Sequence, residues 1–224
     1  MITVTATLLA MTAISGIVDA VSFIALGHVF TANMTGNIVF LGFAIGGVAD
    51  LSMWRSLLAL AFFMSGAVLG GWMTRTMNPQ DPGSTPVHAL AVETILLWVA
   101  SAVSIGFRAP YEDNKLKIAL VIALTAVAMG LRNAVVRKLG VPDLTTTVLT
   151  LTIVGFAADS SLAGGNNPRL GRRAAAVLAM LTGAIAGTSM LTYSVAVPLL
   201  VCGVITAICA LARLHLSRKE RSNG

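Results

Sequence analysis

A chain of 224 residues that is 56% hydrophobic and only 11% charged has too little polar surface for a water-soluble globule, whose charged share is about 25%. Its apolar residues fall in blocks of about 20, the length that crosses roughly 30 Å of hydrocarbon as helix, without the alternation of a lipid-facing barrel. The net charge of +6 comes from basic residues scattered over short loops and the tail, with no basic face and no interleaved aromatics, which excludes a nucleic-acid surface and leaves the lipid bilayer as the expected partner.

The first predicted span covers residues 4–26. No Lys or Arg precedes its apolar run and Asp19 lies inside it, so it is expected to stay in place rather than be removed as a signal peptide. An acidic group within a span costs about 2.5–3.5 kcal/mol on insertion scales, so Asp19 should face the bundle interior or a wet cavity. The stretch Gly27-His28-Val29-Phe30-Thr31-Ala32-Asn33-Met34-Thr35-Gly36-Asn37 follows and runs into the apolar residues 38–48. It sets two hydroxyls, two amides and an imidazole in an oily chain, where each unsatisfied polar group costs several kcal/mol.

Further spans are predicted over 56–73, 87–107 and 118–138, separated by a Pro-rich turn at 78–86 and a charged loop at 108–117. The first carries Gly66-Ala67-Val68-Leu69-Gly70, small residues that let a neighbouring helix approach. The second contains Glu93 and Trp98. Arg132, Asn133, Arg137 and Lys138 sit at the far end of the third. Then Gly140-Val141-Pro142-Asp143-Leu144-Thr145-Thr146-Thr147 leads into a short apolar segment, 148–158, before spans at 174–193 and 195–214 and a basic tail at 216–224. Cys202 and Cys209, seven residues apart on one helix, are separated by about 10 Å and form no disulfide. With three dispersed histidines they give no metal spacing, and no cofactor is expected.

The two halves match in order. Gly16-Ile17-Val18-Asp19-Ala20 faces Gly130-Leu131-Arg132-Asn133-Ala134, Leu26-Gly27 faces Leu139-Gly140, and Gly42-Phe43-Ala44 faces Gly155-Phe156-Ala157. Ser65-Gly66-Ala67-Val68-Leu69-Gly70 faces Thr182-Gly183-Ala184-Ile185-Ala186-Gly187. This predicts an internal repeat with halves 1–107 and 115–215 in one transmembrane domain, 1–224. Both halves place hydroxyl-rich, helix-disfavouring residues before an unusually short apolar segment, the pattern of discontinuous helices around a midplane site.

The expected fold is therefore an all-α membrane protein, a polytopic helical bundle of six to eight segments with an internal repeat and two short discontinuous helices. Whether eight segments cross or six, the basic residues divide eleven against four with both termini on the positive, cytoplasmic side. Eight crossings make the halves parallel and six make them inverted; residues 29–48 are long enough to cross, which favours eight.

The run Gly16-x-x-Asp19-Ala20, then Gly27-x-Val29-Phe30-Thr31-Ala32-Asn33-Met34-Thr35-Gly36-Asn37, resembles the signature of the YoaK-like family of bacterial inner-membrane proteins, a domain-of-unknown-function group of about this length. The resemblance covers essentially the whole chain. It implies a multi-pass inner-membrane protein and no particular substrate.

Asp19 reads either as a proton- or cation-coupling carboxylate or as a structural group bonded to the Thr and Asn cluster or to Arg132. Thr31, Asn33, Thr35 and Asn37 suit a ligand or ion, or cap the next half-helix. Arg132, with Asn133 beside it, is a candidate for holding an anionic solute, and Asp143, Thr145 and Thr146 are the counterparts in the second half. Glu93, about one turn into its span, reads as a snorkelling or hydrogen-bonded residue. The glycine motifs at Gly66 and Gly183 read as packing within the chain, with a homodimer the minor alternative. Together these point to a small secondary transporter for a small polar solute or coupling ion. The other reading is a non-transporting scaffold with a structural polar cluster. An enzyme is not expected, since Ser189 has no histidine placed to activate it.

Overall fold

The computed structural model describes residues 4–76, 84–107, 114–139 and 149–222. These form eight α-helices and no strand: α1 Val4–Ala25, α2 Met34–Ile45, α3 Met53–Thr76, α4 Ser84–Val103, α5 Lys115–Leu139, α6 Leu149–Ala158, α7 Leu170–Met190 and α8 Ala196–Ser222. Five stretches, Thr5–Ala25, Met53–Arg75, Lys115–Lys138, Leu170–Met190 and Ala196–Leu216, are long and apolar enough to cross a membrane. The 20 residues of α4 measure about 30 Å. The 12 residues of α2 and the 10 of α6 reach only about 18 and 15 Å, too short to cross.

Glycine crossings set the arrangement. α1 packs on α7 through Gly16, where a Cβ would lie 2.8 Å from Ala184 N, and through Gly183, whose Cβ would strike the Ala13 carbonyl. α3 packs on α5 in the same way: Gly66 abuts Val127, Gly130 abuts Phe63 and Ala67, and Gly70 abuts Leu131 and Ala134. Lipid tails are as apolar as leucine, so in a bilayer helices associate through close van der Waals contact, which small residues permit. The glycine motifs are thus used inside the bundle.

Contacts fix the helix directions. Ala13 meets Gly183 and Ile17 meets Gly187, so α1 and α7 run parallel; Gly66 meets Val127 and Gly70 meets Leu131, so α3 and α5 do too. Ser101 Oγ donates to Ala196 O (2.8 Å), whereas Thr206 Oγ1 donates to Glu93 Oε1 (3.5 Å), so α4 and α8 are antiparallel. Glu93 pairs with Arg132, and Ala89 clusters with Val135, which makes α4 and α5 antiparallel. Arg132 also reaches Met11 while Val136 clusters with Leu8, so α1 opposes α5. α1, α4 and α7 consequently run one way and α3, α5 and α8 the other.

One expectation changes here. Since α1 and α3 oppose each other, α2 between them returns to the end from which it entered. Residues 29–48 are numerous enough to cross, but the first of them descend beside α1 and only α2 climbs back.

The core centres on α1, α4, α5 and α8, with Ile14, Val18, Leu97, Ile122, Met129 and Leu199 fully enclosed. The outward faces are apolar: Ile38, Phe43 and Ile45 on α2 and Leu151 and Val154 on α6 are exposed, as lipid-facing residues should be. Trp54 and Trp72, 65% and 61% exposed, lie about 27 Å apart along α3. That separation suits aromatic anchors at the two membrane interfaces.

Candidate functional site

Asp19 organises the break after α1. The helix stops in left-handed backbone at Gly27 (φ 86°) and His28 (φ 57°), with the His28 N–H donating to Phe23 O at 3.0 Å; glycine adopts that conformation without steric cost. The chain then doubles back along α1 until the Ala32 N–H donates to Asp19 Oδ1 at 3.0 Å, flanked by the amides of Thr31 and Asn33. A buried carboxylate thus holds a backbone donor that the irregular segment leaves without a helical partner.

Asn33 caps α2, its Oδ1 accepting from Gly36 N–H at 3.5 Å. Asn37, fully buried, closes the loop: its Oδ1 accepts from the Phe30 N–H (2.9 Å) and its Nδ2 donates to the Phe30 carbonyl (2.5 Å). Each of those backbone groups would cost about 1–3 kcal/mol if buried without a partner. The Phe30 ring stacks between Phe23 and Phe40, at 5.3 and 5.4 Å, and fits over Gly36, where a Cβ would stand 2.6 Å from it.

The first described turn of α6 meets this break. A cavity of about 470 Å³ lies between them, walled by Ser15 and Asp19 of α1, Asn33, Thr35, Val39 and Phe40 at the start of α2, Leu149, Thr150 and Ile153 of α6, and Met180 of α7. Asn33, Thr35 and Thr150 are exposed around it. α2 begins at this cavity and directs the positive end of its dipole towards it, and the first described turn of α6 borders it. α6 is held in place by Arg173, which donates to the Gly155 carbonyl and pairs with Asp159 at 2.8 Å.

The candidates named from sequence divide accordingly. Asp19, Asn33 and Thr35 wall the cavity. Thr31 is fully buried behind it, and its hydroxyl has no hydrogen-bond partner among the described residues. Asn37 is committed to the backbone of Phe30. Asn133 lies on α5, with Nδ2 donating to Met129 O at 2.8 Å. Asp143, Thr145 and Thr146 lie outside the described residues.

Arg132 stands apart from the cavity. It is buried against Glu93 and donates from Nη1 to Met11 O (2.8 Å) and to Ser15 Oγ (3.2 Å). Glu93, only 1% exposed, is therefore no snorkelling residue; it sits more than two turns inside α4 and neutralises Arg132, a pairing between helices that spacing along the chain does not reveal. Ser15 was also missed. It lines the cavity and touches Arg132, and its one sequence signal was its place beside Gly16. Among the described residues no group of three His, Cys, Asp or Glu side chains stands together to hold a metal.

A bundle of apolar spans with two short helices beside a cavity that carries polar groups in its wall defines a multi-pass α-helical membrane protein. The chain belongs to the family described as protein of unknown function (DUF1275), which matches residues 7–212. It is 37% identical over 154 residues to the UPF0700 transmembrane protein YoaK of Bacillus subtilis (strain 168), a match covering 69% of this chain and 65% of that relative's length. No solved structure matches.

Proposed function

We propose that the protein is a small secondary transporter of the bacterial inner membrane, carrying a small polar or anionic solute through the cavity between the starts of α2 and α6. The observation that carries this reading is that cavity: a carboxylate, hydroxyls and amides, the N-terminus of α2 and the first described turn of α6 converge on one space inside an apolar bundle. Two inverted repeats, α1–α4 and α5–α8, would supply the rocking elements. The paired glycine crossings support this, because the α3–α5 contact at Gly66, Gly70 and Gly130 is repeated by the α1–α7 contact at Gly183, Gly187 and Gly16. With the helix directions above, Arg55, Lys115 and Lys117 fall at one end, and eleven other basic residues at the end where α1 begins and α8 finishes. The positive-inside rule makes the latter end cytoplasmic.

A thermal-shift screen of purified protein against small anions, cations and metabolites tests the reading, since a ligand of the native state raises apparent stability by mass action. At least one solute is expected to stabilise the wild type, by about 2.7 kcal/mol at a hundred times its Kd, and to stabilise Asp19→Asn much less. The scaffold reading draws on Asn37, whose amide is taken up by the Phe30 backbone and the Met34 sulfur. It expects Asp19→Asn to lower stability while no solute acts on either protein.

A further inference from the structure

A second cavity, of about 270 Å³, lies away from the solute site, between the first turns of α3 and α5. Those helices are parallel, so both begin at the same membrane surface. Arg55 and Lys115 stand at the cavity's rim, and none of the described residues lining it is acidic. Arg55 is half-buried, its Nη1 donating to the Gly27 carbonyl at 3.4 Å; this fixes the guanidinium at the rim while the rest of its donor fork remains. Lys115 is exposed. Trp54 stands beside Arg55 at the level of a membrane interface. Leu58 and Ala119, about one turn further along each helix, give the groove an apolar floor, with Ile118 and Ile122 buried beneath it.

We infer that this groove binds an anionic phospholipid, the phosphate lying between Arg55 and Lys115 and the start of an acyl chain lying on Trp54, Leu58 and Ala119. Charge complementarity selects an anion. The apolar floor and the position at the bilayer edge select a lipid rather than a free phosphate, which would gain nothing from those side chains. Basic pockets between transmembrane helices bind anionic headgroups on the cytoplasmic side of membranes, and this groove offers the same chemistry at the opposite end. The site is independent of the solute cavity, and its fate leaves the transport reading untouched.

The test takes the delipidated full chain in neutral detergent and measures binding by native mass spectrometry and thermal shift. The probes are phosphatidylglycerol, phosphatidylethanolamine with the same acyl chains, and inorganic phosphate. Phosphatidylglycerol is expected to be retained and to raise Tm, with Lys115→Gln weakening it about fivefold, the equivalent of roughly 1 kcal/mol per basic residue at the surface. Arg55→Gln is expected to weaken it at least as much, but it also loosens the Gly27 turn, so Lys115→Gln carries the decision. Equal retention of both lipids, or unchanged affinity in Lys115→Gln, overturns the proposal. So does equal stabilisation by inorganic phosphate, which would make this a simple anion site.

Discussion

Replacing Glu93 by Leu is expected to destabilise the bundle by about 3–5 kcal/mol, the cost of leaving one member of a buried ion pair without its partner. Arg132 is 2% exposed, and once Glu93 is gone its guanidinium keeps only the Met11 carbonyl and the Ser15 hydroxyl. Arg132→Leu is expected to cost less, because a carboxyl group can be neutralised by a proton whereas a guanidinium cannot. The double variant should recover most of the loss, as apolar replacement of a buried pair is often close to neutral. Unfolding of the three variants in mixed detergent measures this as a double-mutant cycle. If the double variant loses the sum of the single losses, the two groups are not coupled.

Bulk at the helix crossings should have an effect of similar size. Gly66→Val and Gly183→Val put side chains where the Val127 and Ala13 backbones stand. Overpacking typically costs about 1–3 kcal/mol, and more where the obstacle is main chain that cannot rotate away. Both variants are expected to lose most of the folded yield in size-exclusion profiles. The control is Gly71→Ala, beside the tightly packed Gly70 but with nothing within 4 Å of its Cβ. It should be neutral or stabilising by about 0.5–1 kcal/mol, since alanine holds a helix better than glycine. Equal tolerance of all three would mean that the crossings are not close-packed.

Much of this architecture is legible in the sequence because lipid imposes simple demands. Apolar blocks of spanning length, glycine pairs four apart and the polar run after Leu26 point to long helices, close crossings and a broken segment. Asn33 is readable as a cap because it immediately precedes an apolar helix. What escapes is the path of the chain through the break. Whether residues 29–48 cross or return depends on the hydrogen bond from Ala32 to Asp19, thirteen positions earlier, which folds the segment back before α2 begins. Glu93 and Arg132 are likewise 39 residues apart and meet only because α4 and α5 pack antiparallel. The eleven-to-four charge division is blind to the difference, since six and eight crossings give the same count.

The central claim is that the space between the break after α1 and the start of α6 is a polar, solvent-reached compartment for a solute. Thr35→Cys and Thr150→Cys, each made in a background with Cys202 and Cys209 replaced by Ala, test it by reaction with a charged, membrane-impermeant maleimide in vesicles of both orientations. Labelling of both positions is expected, from each side of the membrane in turn, and slowed by the stabilising solute. Reaction only with a lipid-soluble maleimide, with no protection by any solute, would contradict the account and leave the cavity a lipid-filled crevice.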